Sequence, residues 1–261
     1  MNETFTISDK DIQELTDISV KYSKIISDVI TEAQKNIVGQ EDVIKKIVIS
    51  IISGGHALLE SVPGLAKTLM IKTMADIFSV NNVRIQFTPD LLPADILGTK
   101  IFKNNSETFE IQKGPIFHNF ILADEINRAP PKVQSALLES MQEKQVSIHG
   151  ETFQLNKPFL VLATQNPIEN EGTYKLPEAQ VDRFALKIKI DYPTKDQEIK
   201  IIKRNTSNVE IKINPIVKSK EILEMQKFNE KIYADDVILK YVTNIIDATR
   251  NPSKYELDLE N

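Results

Sequence analysis

The run Ala57-Leu-Leu-Glu-Ser-Val-Pro-Gly-Leu-Ala-Lys-Thr68 constrains the fold more than any other. A short apolar strand (Ala57, Leu58, Leu59) enters a tight turn, and Lys67-Thr68 opens a helix. A second run, Phe120-Ile-Leu-Ala-Asp-Glu-Ile-Asn-Arg128, reads as a buried strand that delivers two adjacent carboxylates, Asp124 and Glu125, at its carboxyl end. Together they describe a place where a nucleoside triphosphate and magnesium could be held and a water activated.

The rest of the chain predicts what surrounds these runs. Residues 8–35 carry Ile12, Leu15, Ile18, Tyr22, Ile25, Ile26 and Ile30 at spacings of three and four, a helical apolar stripe. Gly39 interrupts it. Glu41 to Ser53 forms a second amphipathic helix, which Gly54-Gly55 ends as a cap would. Apolar strands are expected at 57–60, 83–87, 119–123, 158–163 and 184–190, with helices at 67–78 and 131–143 between them. Such alternation with short, continuously apolar strands argues for a parallel sheet covered on both faces.

Two hairpins interrupt the pattern. One pairs Lys100–Phe102 with Phe109–Gln112 across Asn104-Asn105-Ser106, and the other pairs Gln145–Ile148 with Thr152–Leu155 across His149-Gly150-Glu151. After Pro193 the strand signals fade, and 195–205, 218–231 and 234–250 read as helices. The expected organisation is an α/β core over 1–193 and a helical segment over 194–261.

A phosphate loop follows the pattern G-x-x-x-x-G-K-[ST]: backbone N–H groups curl around phosphates, the lysine reaches β/γ oxygens, and the hydroxyl ligates magnesium. A helix opening near Lys67 would add its positive dipole end. Here the eight positions are Ser61, Val62, Pro63, Gly64, Leu65, Ala66, Lys67 and Thr68, so both outer glycines are replaced. Only Gly64 takes a positive φ cheaply. Either the loop stays at negative φ elsewhere, or a non-glycine residue is strained by about 1–2 kcal/mol. The run also fits an ordinary strand-turn-helix corner.

In the functional reading Asp124 holds magnesium, and Glu125 orients and deprotonates the attacking water. The plain reading is an acidic pair stabilised at a helix start. Phe159-Leu-Val-Leu-Ala-Thr164 ends in Gln165-Asn166-Pro167. An amide there could reach a γ-phosphate or water, or Asn-Pro could be turn chemistry. Arg183, just before the last strand, could pair locally with Asp182 or a helix end, or be offered to a neighbouring subunit's γ-phosphate.

Composition narrows the classes. Hydrophobic content of 41% and charged content of 26% fit a soluble globular protein, and a net charge of −5 gives no general electrostatic case for nucleic acid. Without cysteine the chain has neither disulfides nor cysteine-ligated zinc. The amino terminus has no basic and apolar regions of a signal peptide, and the apolar run Ile47 to Ile52 is too short to span a bilayer. A cytoplasmic location is expected.

At this point the residues resemble the MoxR family of AAA+ ATPases. The resemblance rests on Ile37-Val-Gly-Gln40, Gly55-His-Ala-Leu-Leu-Glu60, Val62-Pro-Gly-Leu-Ala-Lys-Thr68 and Gln86-Phe-Thr-Pro-Asp-Leu-Leu-Pro-Ala-Asp-Ile96. It continues through Gly114-Pro-Ile-Phe117, Ala123-Asp-Glu-Ile-Asn-Arg-Ala-Pro-Pro131, Ala163-Thr-Gln-Asn-Pro167, Glu171-Gly-Thr-Tyr174, Leu176-Pro-Glu-Ala-Gln180 and Asp182-Arg-Phe184. The similarity runs from about residue 10 to Arg250, and the magnesium-chelatase ATPase subunit carries similar signatures.

The resemblance implies a P-loop NTPase fold of the AAA+ type: a parallel five-stranded sheet sandwiched by helices, with hairpin insertions, followed by an all-α lid. It implies that Lys67 and Thr68 bind phosphate and magnesium, that Asp124 is the Walker B acid, and that Glu125 is the catalytic base. Asn166 matches sensor 1, Arg183 matches the arginine finger, and Val38-Gly39-Gln40 lies where the family contacts adenine. A ring of copies, commonly a hexamer, is implied, with ATP and Mg2+ between subunits. So is a chaperone-like remodelling role with a von Willebrand factor A-domain protein and a client.

The chain departs from the family at Ser61, where glycine is usual, and at Lys175, where proline is common. The family also continues past Thr249-Arg250 into a Gly-Ala-Ser-Pro-Arg segment with the sensor 2 arginine, and Arg250 is not that residue by position. The lid is therefore expected to be partial. The main expectation is a magnesium-dependent ATPase that remodels partners. The alternatives are a nucleotide-binding assembly or scaffold module with little hydrolysis, and a DNA motor, against which the net charge and the lack of a basic arm argue.

Overall fold

The computed structural model describes residues 9–62, 64–104, 107–166, 172–206 and 211–258, with side chains from residue 13 onward. Pro63, the turn residues Asn105 and Ser106, Pro167, Glu171 and the side chain of Ile12 lie outside the described residues. The chain divides into two compact units, Met1–Gln226 and Lys227–Asn261.

The first unit opens with α1 (Asp9–Asn36) and α2 (Glu41–Ser53), followed by β1 (Ala57–Glu60), α3 (Lys67–Ile77) and β2 (Asn82–Gln86). Next come α4 (Pro93–Leu97), β3 (Gly98–Lys103), β4 (Thr108–Lys113), β5 (Phe120–Asp124) and α5 (Pro131–Glu143). Then follow β6 (Gln145–Ile148), β7 (Glu151–Gln154), β8 (Leu160–Gln165), α6 (Glu178–Val181), β9 (Leu186–Lys189), α7 (Lys195–Thr206) and α8 (Ser219–Asn229). The helix ends follow local chemistry. Gly54, in the left-handed region at φ 67, closes α2 with its N–H on the Ile51 and Ser50 carbonyls. Pro131 takes the first position of α5, where its missing N–H costs nothing.

Five parallel strands form one sheet in the order β2-β5-β8-β1-β9. This is the sheet expected from the apolar runs, and alternate residues feed its two faces. Ala57, Leu59, Phe120, Leu122, Leu160 and Leu162 pack with α1, α2 and α3. Leu58, Ile121, Ala123, Val161 and Ala163 pack with α4, α5 and the β6–β7 hairpin. Each fully buried Leu, Ile or Phe contributes about 1.5–3 kcal/mol relative to exposure, so both faces hold the sheet in place.

The α1 stripe is only partly realised. Val29 and Ala33, which lie outside the predicted stripe, are the fully buried positions, while Ile25, Ile26 and Ile30 pack at the edge of the cluster. A helix of 28 residues reaches about 42 Å, whereas strands of 4–6 residues reach only about 20 Å, so the amino-terminal half of α1 runs past the sheet.

Both hairpins form. β3 and β4 pair over their whole length, Gly98 with Lys113 through Lys103 with Thr108, longer than expected. The β6–β7 turn is shorter than expected: His149 (φ 49) and Gly150 (φ 84) alone make it, both left-handed as a two-residue hairpin requires. Glu151 therefore belongs to β7 and not to the turn.

The last strand ends at Lys189, and the described elements after Pro193 are helical, while the first compact unit continues to Gln226. The end of the strand pattern and the boundary between compact units are thus separate features. The second unit carries α9 (Asp236–Arg250), capped by Asp235, whose side chain accepts from Val237 N at 2.8 Å. At the other end of α9, Asp247 accepts from Asn251, Lys254 and Tyr255. Among the described residues no helix is long and apolar enough to cross a membrane.

Candidate functional site

The strand order places β5, β8 and β1 side by side and parallel, so their carboxyl ends open on one edge of the sheet, the usual position of a site in an open α/β fold. β1 leads into the loop 61–66, β5 ends in Asp124, and Asn166 follows β8 between them.

Gly64 has φ 86, and a Cβ built on it meets nothing within 4 Å, so the loop tip faces open space. Ala66 is left-handed at φ 55 and ψ 26 and starts α3, accepting Met70 N at 2.9 Å. Of the two possibilities open for the loop, the strained one is realised at Ala66. Ser61 does not adopt a positive φ, so serine costs nothing in backbone strain where glycine is usual. It is buried, and its hydroxyl has no hydrogen-bond partner among the described residues.

Gly64, Leu65, Ala66, Lys67 and Thr68 line a cavity together with Arg84, Asp124 and Glu125. Lys67 Nζ lies 3.8 Å from Asp124 Oδ1, and both side chains are close to fully buried. Thr164 Oγ1 donates to the same Oδ1 at 2.6 Å and accepts Glu125 N at 2.8 Å, so one hydroxyl positions both acids. On the other oxygen, Asp124 Oδ2 accepts Arg84 Nε at 3.0 Å and Arg84 Nη2 at 2.7 Å. Burial pushes the Asp124 carboxyl up. The hydrogen bonds from Thr164 and Arg84 and the charges of Lys67 and Arg84 outweigh it, so the carboxyl sits below its ordinary range and is ionised.

Glu125 stands at φ 58 and ψ 50, a left-handed conformation of the kind that collects at functional sites. Its Oε2 accepts Gln86 Nε2 at 2.9 Å and pairs with Arg128 Nε at 3.1 Å. The amide of Gln86 in turn accepts from Arg84 Nη2. Arg84, Gln86 and Thr164 were not singled out from the sequence. The available signal for the first two was the alternation of β2, where Arg84 and Gln86 share one face of the strand.

A second cleft, of about 320 Å3, also borders the loop. It is lined by Val38 and Gln40 from the turn before α2, by Leu65 from the loop, and by Ile201, Arg204 and Asn205 from α7. Gly39 and Gln40 are both left-handed, and Gln40 Nε2 is tied to Asp191 O at 2.9 Å. The two cavities share Gly64, Leu65 and Ala66, so a base and ribose on one side could continue into phosphates on the other. The α7 residues were also missed by sequence reasoning, which had no motif for them.

Donor chemistry tests the fit of a metal. Among the described residues no group of three His, Cys, Asp or Glu converges. Thr68 and Asp124 offer hard oxygen donors on one cavity wall, which suits magnesium shared with phosphate oxygens. The residues therefore fit a magnesium–triphosphate pair. Arg183 is not in this cavity: it is exposed, donates from Nη1 to Leu138 O at 2.9 Å, and lines a separate hollow with Met141, Gln142, Ala179 and Asp182.

Residues 56–186 match the model of the ATPase family associated with various cellular activities (AAA). The chain is 47% identical to Chaperone MoxR1 of Mycobacterium tuberculosis over 225 residues, which is 86% of this chain and 59% of that protein. It is 42% identical to YeaC of Bacillus subtilis over 84% of this chain and 69% of that one. A crystal structure from Cytophaga hutchinsonii, 48% identical, superposes with a TM-score of 0.85 over 95% of this chain and 75% of the other. The chain thus spans little more than half the length of the mycobacterial relative.

Proposed function

The chain belongs to the MoxR family of AAA+ ATPases, and we propose that it binds magnesium ATP, hydrolyses it, and uses the cycle to remodel or activate partner proteins. The observation that carries this reading is the joined pair of cavities, with Lys67 3.8 Å from Asp124 and Glu125 on the same wall.

In this reading the nucleoside occupies the cleft bounded by Val38, Gln40 and Ile201, and the phosphates cross Gly64–Ala66 to the mouth of α3. Backbone N–H groups and the helix end face the phosphates, and Lys67 neutralises the β/γ oxygens. Thr68 and Asp124 hold magnesium, which supplies Lewis-acid polarisation of the phosphoryl oxygens when bound. Glu125 takes the proton of the attacking water, once its carboxylate is freed from Gln86 and Arg128. Asn166, following the strand between the loop and the acids, orients the γ-phosphate or the water.

Assembly is part of the same proposal. Arg183 lies outside the chain's own phosphate cavity and is exposed, which suits delivery to a neighbouring copy in a ring, in family terms a hexamer. A von Willebrand factor A-domain partner, a client protein and a cytoplasmic location rest on the family resemblance alone. Magnesium-dependent phosphate release by the wild-type protein, compared with a Glu125→Gln variant, tests the hydrolytic step. Equal background release from both would overturn it and leave a nucleotide-binding assembly module.

A further inference from the structure

Glu60 is the last residue of β1, and the phosphate loop begins directly after it. In the parallel pairing of β1 with β8 its register partner is Gln165, the last residue of β8, and Asn166 comes next in the chain. The main chain closes this end of the ladder with Ser61 N on Gln165 O at 3.2 Å. Side chains add a second link. Gln165 Nε2 donates to Glu60 Oε1 at 2.6 Å, and Lys187 of β9 places Nζ 2.7 Å from the same oxygen. One carboxylate thus joins three neighbouring strands, β8, β1 and β9, where the loop and Asn166 leave the sheet.

An ionised carboxylate only accepts, so the Gln165 amide must turn its NH2 toward Glu60. A hydrogen bond to a charged oxygen is about twice as strong as a neutral one, and the Glu60 side chain is 22% exposed, which leaves water little access to compete. Alternation sets the clamp apart from the acids. Glu60 follows Leu58 and Gln165 follows Ala163 onto the face that packs α4 and α5, whereas Asp124 and Thr164 fall on the opposite face. Neither Glu60 nor Gln165 lines either cavity. What the clamp fixes is the end of β8. Asn166 stands one peptide bond beyond it, so a displaced Gln165 carries Asn166 along.

We propose that Glu60 is a positioning residue that acts through Gln165 to set the place of Asn166, an inference that rests on reading Asn166 as the residue that orients the γ-phosphate or the attacking water. The loop holds the α- and β-phosphates by its own backbone and by Lys67, so Glu60 serves turnover and not the grip on a diphosphate. Lys187, on the same carboxylate oxygen, holds Glu60 in reach of Gln165 from the other side.

The test measures phosphate release from magnesium ATP by the whole chain, together with affinity for a fluorescent ADP analogue. Glu60→Leu should lower turnover roughly tenfold to a hundredfold, the scale on which misplacement by about 1 Å acts, and leave ADP affinity unchanged. Gln165→Leu, which removes the other half of the clamp, should reproduce both results. Glu60→Gln keeps an oxygen that accepts from Gln165 and should restore most of the turnover. In an Asn166→Ala background, Glu60→Leu should cost nothing further, because residues that act as a unit are not additive. A loss of ADP affinity in step with turnover, or losses that multiply in the double variant, would overturn the proposal and leave the role of Asn166 standing. Wild-type turnover in Asn166→Ala alone, or no phosphate release by the wild-type protein, would overturn both.

Discussion

Lys67 Nζ and Asp124 Oδ1 stand 3.8 Å apart at the meeting of α3 with β5, each side chain close to fully buried. The pair brings the loop motif and the acidic strand end, distant in sequence, onto one cavity wall. Lys67→Ala should therefore cost nucleotide binding first. Loss of a charged hydrogen bond of about 3 kcal/mol corresponds to roughly a hundredfold weaker binding. Titration of a fluorescent ATP analogue measures this, and unchanged affinity would refute the role given to the lysine.

Glu125→Gln should separate binding from chemistry. The substitution keeps the size and leaves Lys67, Thr68 and Asp124 untouched, so affinity for ATP should stay near that of the wild type. General-base catalysis contributes about 10²–10⁴-fold, and phosphate release should fall by that much. A fall in affinity of the same size would mean that the carboxylate binds nucleotide and does not act on water.

Arg183→Ala should leave nucleotide affinity unchanged, because Arg183 is absent from the residues lining the chain's own phosphate cavity. Turnover should be lost where subunits assemble. Mixing Arg183→Ala with Glu125→Gln should recover part of it, since some interfaces then combine an intact base with an intact arginine. No recovery at protein concentrations that give a ring would argue against action in trans.

Ala66 is the place to test strain in the loop. Its φ of 55 costs an alanine about 1–2 kcal/mol, while a glycine there returns about 0.5–1 kcal/mol to the unfolded chain. Ala66→Gly should raise unfolding stability by about 1 kcal/mol or less, read from urea midpoints without nucleotide. Ala66→Val should lower stability, because a β-branched residue tolerates positive φ poorly. The same sign for both substitutions would show that the strain is not where the backbone places it.

Much of this arrangement was legible in the sequence, and the reason is local. The central strands carry continuous apolar runs, and α2 and α5 are bounded by Gly54 and Pro131, each acting through its own backbone. The acid pair was legible because it directly ends a strand. Thr164 was not, since it reaches Asp124 only through the pairing of β8 with β5, 40 residues away in the chain. Arg84 and Gln86 were hidden for the same reason, as was the contribution of Ile201 and Arg204 to the cleft beside the loop. The α1 periodicity located the helix, Asp9–Asn36, but it records an amphipathic face without recording which turns the core covers.

His56 gives the fold a pH signature separate from the site. It lies buried before β1 with Nδ1 accepting Val161 N at 3.0 Å, so the proton is on Nε2, which donates to Met141 O at 3.3 Å. Burial pushes its pKa down from 6.5 to about 4, with the Lys144 charge adding to the shift and the bond to Met141 opposing it. The folded protein thus keeps His56 neutral while the unfolded chain takes up a proton below about 6.5. Stability should be fully present above that value, decline as pH falls to about 4, and gain no further slope from this group beneath it. A shift of this size corresponds to about 3 kcal/mol across the window. Asp124, depressed below its ordinary 3.8, loses its contribution chiefly at lower pH, which keeps the two apart. His56→Gln supplies an amide that does not titrate, so urea unfolding across the window should lose most of this slope. An unchanged slope would assign the pH dependence to other groups.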